Sequence, residues 1–309
     1  MSNELALNPA SGMSAVTLLV RDLEVMTDYY TEAFALEPLE ELPTRTSTRR
    51  VLGRGTTPMV RLVHAPGIPM VDRRQAGLFH TAFLFEDQSS LAAAVYRAVS
   101  DQRGRYAGAA DHLVSEAFYF TDPEGNGVEL YTDRPRAHWT IVNGQIQMAS
   151  NRLDPRVFLQ LHLTESSLEA GPALEAKVGH VHLQVGDLRR ARDFYVDSLG
   201  FDVTVGDFPG AIFASVGGYH HHIAMNTWNS RGAGPRAAGL GLGDVAIAVP
   251  ERADLDALAV RLRTGGVPFA DHGSSIVTAD PWGTQVTVSL PAPRVEDLLA
   301  APVATEPHA

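Results

Sequence analysis

LLVRDLEVMTDYYTEAFAL (residues 18–36) returns in altered spelling as LQVGDLRRARDFYVDSLGF (residues 183–201). In both, alternating apolar residues read as a strand, an aspartate (Asp22, Asp187) stands where a helix N-cap belongs, and apolar residues at helical spacing follow. The second copy stops at Leu199-Gly200, because glycine takes the left-handed backbone that ends a helix at little cost. Repetition on this scale decides the architecture before any single residue does.

Outward from this pair lies a second one, HTAFLFEDQSSLAAAVYRAV (80–99) and DVAIAVPERADLDALAVRLRTGG (244–266), each again a strand followed by an amphipathic helix. The closing segments match too: TDPEGNGVELY (121–131) and ADPWGTQVTVS (279–289) both place Asp-Pro and a glycine turn before a short alternating strand. Four units therefore run over about 14–65, 77–132, 178–228 and 239–290, the last two echoing the first two. The expected fold is α+β, four βαβββ modules whose strands curl into open half-barrels with helices outside and a cleft between paired half-barrels. The expected division is an N-terminal tail (1–12), a first two-module domain (13–133), a linker (134–176) with a helix from Pro155 onward, a second two-module domain (177–291) and a C-terminal tail (292–309).

A chain of 309 residues with 45% hydrophobic and 20% charged side chains can bury a sizeable core and divide into two domains. Its net charge of −11 repels a phosphate backbone, so no nucleic-acid partner is expected. It has no cysteine, which leaves histidine and carboxylate to hold any metal. The opening MSNELALNPASG has neither a basic start nor an apolar run, and no later stretch approaches 18 apolar residues; a cytoplasmic protein without a membrane partner is expected.

His80 opens a strand (GLFHTAFLF, 77–85) and Glu129 lies in the closing strand of the same module (GVELY, 127–131). A carboxylate among apolar neighbours needs a cation, a donor or solvent. Alone, His80 reads as a satisfied core histidine and Glu129 as a solvent-facing strand residue; the fourth module has Asp244 and Thr287 at the corresponding places, so packing does not demand the pair. In the third module, GHVHLQV (179–185) puts His180 and His182 on one strand face. Counting to the N-cap aspartate favours His180, since 87 − 80 = 7 and 187 − 180 = 7. The run GGYHHHIAMNTW (217–228) adds His220, His221 and His222; in a regular strand the first and third share a face and His221 opposes them. Two histidines and one carboxylate suit a non-haem Fe(II) site with open positions, though Zn, Mn or Ni can use the same ligands. Further imidazoles can move a proton near pH 7.

With GLFHTAFLF, DHLVSEAFYFTDPEGNGVELYTDRP, GHVHLQVGDL and GGYHHHIAMNTW in view, almost the whole chain resembles the vicinal oxygen chelate superfamily, within it the two-domain type I extradiol catechol 2,3-dioxygenases. The resemblance implies Fe(II), dioxygen as co-substrate and a small aromatic diol. It implies ligands at His80 and Glu129, whose spacing of 129 − 80 = 49 matches the family's, a substrate-binding Tyr119, a neighbouring His112, and an acid-base histidine at His221 or His222. The order departs from the family's better-known members, which carry all three ligands in the C-terminal domain, whereas here module four offers Asp244, Val277 and Thr287, and module one Ala15. A complete site with His180 as third ligand therefore requires modules two and three to face each other, within one chain or across a dimer. Related proteins are often oligomeric, but no stretch here specifies an interface. Two rival readings are a metal-dependent glyoxalase-like lyase or isomerase and a small-molecule-binding resistance protein.

Overall fold

A computed structural model describes residues 6–44, 47–291 and 295–301. Parts of both expected tails, residues 1–5, 292–294 and 302–309, lie outside the described residues. Module one comprises β1 (Gly12–Val20), α1 (Leu23–Phe34), β2 (Glu37–Pro43), β3 (Thr48–Arg54) and β4 (Thr57–His64). Module two comprises β5 (Gly77–Phe85), α2 (Gln88–Ser100), β6 (Arg105–Asp111), β7 (Ser115–Thr121) and β8 (Gly127–Asp133). A connecting region holds β9 (Ile141–Val142), β10 (Gln145–Ile146), β11 (Asn151–Arg152), α3 (Pro155–His162) and α4 (Glu165–Ala170). Module three is β12 (Ala176–Gln184), α5 (Leu188–Arg192, prolonged by a π-helical turn over Asp193–Ser198), β13 (Asp202–Val205), β14 (Ala211–Ser215) and β15 (Ile223–Asn226). Module four is β16 (Gly241–Ala248), α6 (Arg252–Thr264), β17 (Phe269–Asp271), β18 (Ser275–Ala279) and β19 (Gln285–Ser289), followed by α7 (Val295–Ala300).

The helix starts follow the sequence signals. Asp22, Asp87 and Asp187 each accept a hydrogen bond from a backbone N–H in the first turn of their helix, relieving a donor that has no partner inside the helix. Asp154 does the same ahead of Pro155, where the missing N–H costs nothing and the fixed φ already suits a helix.

The strands form two open mixed sheets, and each takes one module from each half of the chain. The nine-stranded sheet runs β11-β6-β7-β8-β5-β12-β15-β14-β13, joining modules two and three along the antiparallel pair β5–β12. The eight-stranded sheet runs β17-β18-β19-β16-β1-β4-β3-β2, joining modules four and one along β1–β16. Tyrosines on the helices tie together the two modules within each half. The Tyr30 hydroxyl of α1 donates to Asp122 in the β7–β8 turn at 3.1 Å, and Tyr195 of module three donates to Asp280 in the β18–β19 turn at 3.0 Å. One continuous apolar core, from Leu18 and Phe34 through Phe83 and Val181 to Leu258 and Trp282, lies between sheets and helices. No helix among the described residues is long and apolar enough to cross a membrane.

Candidate metal centre

Strand pairing brings the site together in one lateral row. Tyr119 on β7 is the direct partner of Glu129 on β8, Glu129 is level with Ala82 on β5, and Ala82 is level with His180 on β12. His80, two residues before Ala82, points to the same face because side chains alternate. The methyl of Ala82 leaves room between Glu129 and His180, whereas the alternate residues Phe83 and Phe85 point into the core. The β5–β12 register slips between Val178 and His180, and bulges of this kind re-aim side chains at functional sites. Gly179 sits within the slip, where a Cβ would stand 1.9 Å from the Tyr131 hydroxyl.

His80, Glu129 and His180 are all buried, and each offers a ligand atom within 4.8 Å of the others. Nε2 of His80 lies 2.9 Å from Glu129 Oε2, and Nε2 of His180 lies 3.2 Å from the same oxygen. Two ligands at right angles around one ion, each about 2.1 Å from it, stand roughly 3 Å apart. The His80 contact lacks the alignment of a hydrogen bond, leaving its Nε2 without a true partner among the described residues. Burial pushes the His180 imidazole down to about 4, so the ring is neutral near pH 7. Burial alone would raise the Glu129 carboxyl, but the His180 and His80 imidazoles hold it well below the usual carboxylate range. An anionic carboxylate and neutral imidazoles are the ligand states of a divalent cation, and the donor set fits one.

These groups line a cavity of about 540 Å³. Tyr119 and His112 stand at its wall, the Tyr119 hydroxyl 2.6 Å from His112 Nε2, and burial raises the phenol well above its ordinary range. His182 also faces the cavity, its Nε2 accepting from the Asn226 side-chain amide at 2.9 Å; burial pushes it well below the usual imidazole range. Phe79, Phe213 and Trp228 supply apolar walls, and Trp228 remains 46% exposed beside Phe79 and His182. Trp139 is absent from the lining and packs instead against Tyr219 and His220.

The histidine run precedes its strand, since β15 begins only at Ile223. His221 faces the cavity, its ring centroid 4.0 Å from that of His180, and burial pushes it well below the usual imidazole range. His222 turns away to Ser215 Oγ at 2.9 Å, and its burial lowers it to about 3. Of the seven residues singled out, His80, His112, Tyr119, Glu129, His180 and His221 thus meet at one cavity, within one chain, while His222 lies behind it. Sequence reasoning missed Asp133, which accepts from His220, and Asn226, which donates to His182. The signal for Asp133 was present, because period-two alternation from Glu129 through Tyr131 reaches it.

The other sheet carries no such cluster among the described residues. There Asp244 accepts from Thr287 at 2.8 Å and Gln285 at 3.1 Å, and the buried Arg61 attracts it.

The profile of the Glyoxalase/Bleomycin resistance protein/Dioxygenase superfamily matches residues 12–130 and 177–288. A protein of Bacillus subtilis (strain 168) described as catechol-2,3-dioxygenase is 34% identical over 271 residues, covering 85% of this chain and 92% of that protein. Among solved structures, glyoxalase I from Zea mays superposes with a TM-score of 0.57 at 18% identity, covering 91% of this chain and 92% of its own. The cppA protein from Streptococcus pneumoniae TIGR4 superposes with a TM-score of 0.53 at 12% identity, covering 90% and 98%. The two structural likenesses speak to the fold alone.

Proposed function

Because the chain belongs to the glyoxalase/bleomycin resistance protein/dioxygenase superfamily, we propose that it is an Fe(II)-dependent extradiol dioxygenase. It opens the ring of catechol or a substituted catechol beside the hydroxyls with dioxygen, giving a 2-hydroxymuconic semialdehyde-type product. The observation that carries this reading is the set His80, Glu129 and His180, clustered on one face of a cavity whose wall also presents Tyr119, His112 and His221. The 34% identical catechol-2,3-dioxygenase supports the substrate class, and two histidines with one carboxylate are a donor set suited to Fe(II) with open positions.

Held by those three residues, Fe(II) would supply the positions at which a catechol and dioxygen meet and the path by which ring electrons reach oxygen. Glu129 would offset part of the cation's charge at the cavity wall, and the two imidazoles would complete one face. Tyr119, its proton directed at His112, turns an oxygen lone pair toward a substrate hydroxyl. His221 accepts a catechol proton and later returns it, a role open to a neutral imidazole. Phe79, Phe213 and Trp228 hold the apolar ring and keep bulk water from it.

The test is oxygen consumption by anaerobically Fe(II)-loaded protein given catechol, with absorbance followed for a yellow ring-opened product. Stoichiometric uptake and product are expected. No uptake over a panel of catechols, with one iron bound per chain, would overturn the reading in favour of a non-oxidative lyase or isomerase.

A further inference from the structure

The loop before β15 buries groups whose hydrogen-bond polarity can be followed atom by atom. Nε2 of His220 lies 2.9 Å from Asp133 Oδ1, and Nδ1 of His220 lies 2.7 Å from Nδ1 of His221. A carboxylate accepts and cannot donate, so His220 Nε2 carries the hydrogen directed at Asp133. A neutral imidazole has one donor and one acceptor nitrogen. His220 Nδ1 is therefore the acceptor, and His221 Nδ1 is the donor to it. The same rule leaves Nε2 of His221 without a hydrogen, on a ring that lines the cavity and is held edgewise by Phe213 at 5.0 Å and against His180.

We propose that Asp133 and His220 are positioning residues that fix His221 as its Nδ1–H tautomer and so present a bare Nε2 lone pair to the cavity. This rests on the reading of His221 as the base for a catechol proton; the tautomer itself does not depend on that reaction. The surroundings favour the same polarity. His220 is fully buried, and Trp139 covers it at 5.4 Å, so it has no water with which to exchange its partner. Tyr219 stacks on the same imidazole at 4.1 Å and is joined to Tyr131 by a 2.8 Å hydrogen bond, which immobilises the ring. Asp133 has a quarter of its side chain exposed, so the carboxylate at the end of the chain keeps its solvation. Which imidazole nitrogen carries the hydrogen is commonly set by the bond the other nitrogen makes; here that control passes through two rings.

The decisive measurement is long-range ¹H–¹⁵N NMR of the histidine rings in full-length protein loaded with diamagnetic Zn(II), the His221 signals being assigned by their loss in His221→Gln. In the wild type the Nδ1 of His221 should be protonated and Nε2 bare. In Asp133→Asn, whose amide can donate as well as accept, that pattern should be lost to the Nε2–H form or a mixture. Fe(II)-loaded Asp133→Asn should lose at least about tenfold in kcat toward catechol with KM and iron content unchanged, and Asp133→Glu should recover part of it. A wild-type His221 protonated at Nε2, or a His220 protonated on both nitrogens, overturns the proposal, and the wild-type spectrum alone decides this should Asp133→Asn fail to fold. A tautomer found as stated in a protein that never consumes oxygen upholds the positioning chain and removes the dioxygenase reading instead.

Discussion

The His112 imidazole and the Tyr119 hydroxyl share a 2.6 Å hydrogen bond whose direction is set from behind, because Nδ1 of His112 faces the Ala149 carbonyl at 2.6 Å. A carbonyl accepts, so Nδ1 carries the hydrogen and Nε2 is left to accept the phenolic proton. Tyr119 thus reaches the cavity as an oriented acceptor. Tyr119→Phe should lower kcat/KM for catechol by about 10²-fold at unchanged iron content, and His112→Ala should reproduce part of that loss. Steady-state kinetics with elemental analysis of the same preparations checks it; equal kinetics for Tyr119→Phe and wild type would remove the role.

Removing a proposed ligand should cost the ion and not the fold. His80→Ala, Glu129→Ala and His180→Ala should each bind well under one iron per chain by elemental analysis. An ion held by the folded state alone raises Tm by mass action. A chelator should therefore lower the Tm of wild type and leave that of Glu129→Ala where it was. Retention of stoichiometric iron by His180→Ala would point to another third ligand.

Asp122 makes stability depend on pH. Burial raises its carboxyl from 3.8 to about 6, against the hydrogen bonds from Asn126 and Tyr30 that favour the charged form. A raised folded-state pKa means that the folded protein binds the proton more tightly than the unfolded chain. The contribution is full below pH 3.8 and is lost as pH rises through 6; at about 1.4 kcal/mol per unit it amounts to roughly 3 kcal/mol. Urea unfolding at a series of pH values should show wild type losing ground to Asp122→Asn between pH 4 and about 6.5. A constant difference would show that Asp122 titrates normally.

On the other sheet, Asp244 is a structural group. Asp244→Ala removes the carboxylate that faces buried Arg61 and should destabilise the fold by about 3 kcal/mol, with iron content unchanged. Chemical denaturation and metal analysis of this variant separate the two sheets' roles; loss of iron would merge them.

Much of this was legible because it is local. The N-cap aspartates, the glycine turns and the equal spacing from His80 to Asp87 and from His180 to Asp187 are short-range facts, and the helices and strands they mark are present. Strand partnership is not local. Four modules of similar pattern can be joined in several ways, and only the ligands' placement in modules two and three argued for joining those two. The direction of the three histidines escaped alternation, since the chain reaches β15 one residue after them. Ala149, whose carbonyl orients His112, was legible in no way, because a backbone group of a connecting region has no side-chain signature.

The seam between β5 and β12 also sets when the cavity can be finished. His80 and His180 are 180 − 80 = 100 residues apart in the chain yet lie on neighbouring strands, so this contact is of high sequence separation and closes only after a long loop has been gathered in. Neither half of the chain, emerging first during synthesis, can present more than part of the coordinating set. Uptake of the ion, held as proposed, would therefore report the joining of modules two and three, ahead of the still longer-range pairing in which Gly12 of β1 lies opposite Ala248 of β16.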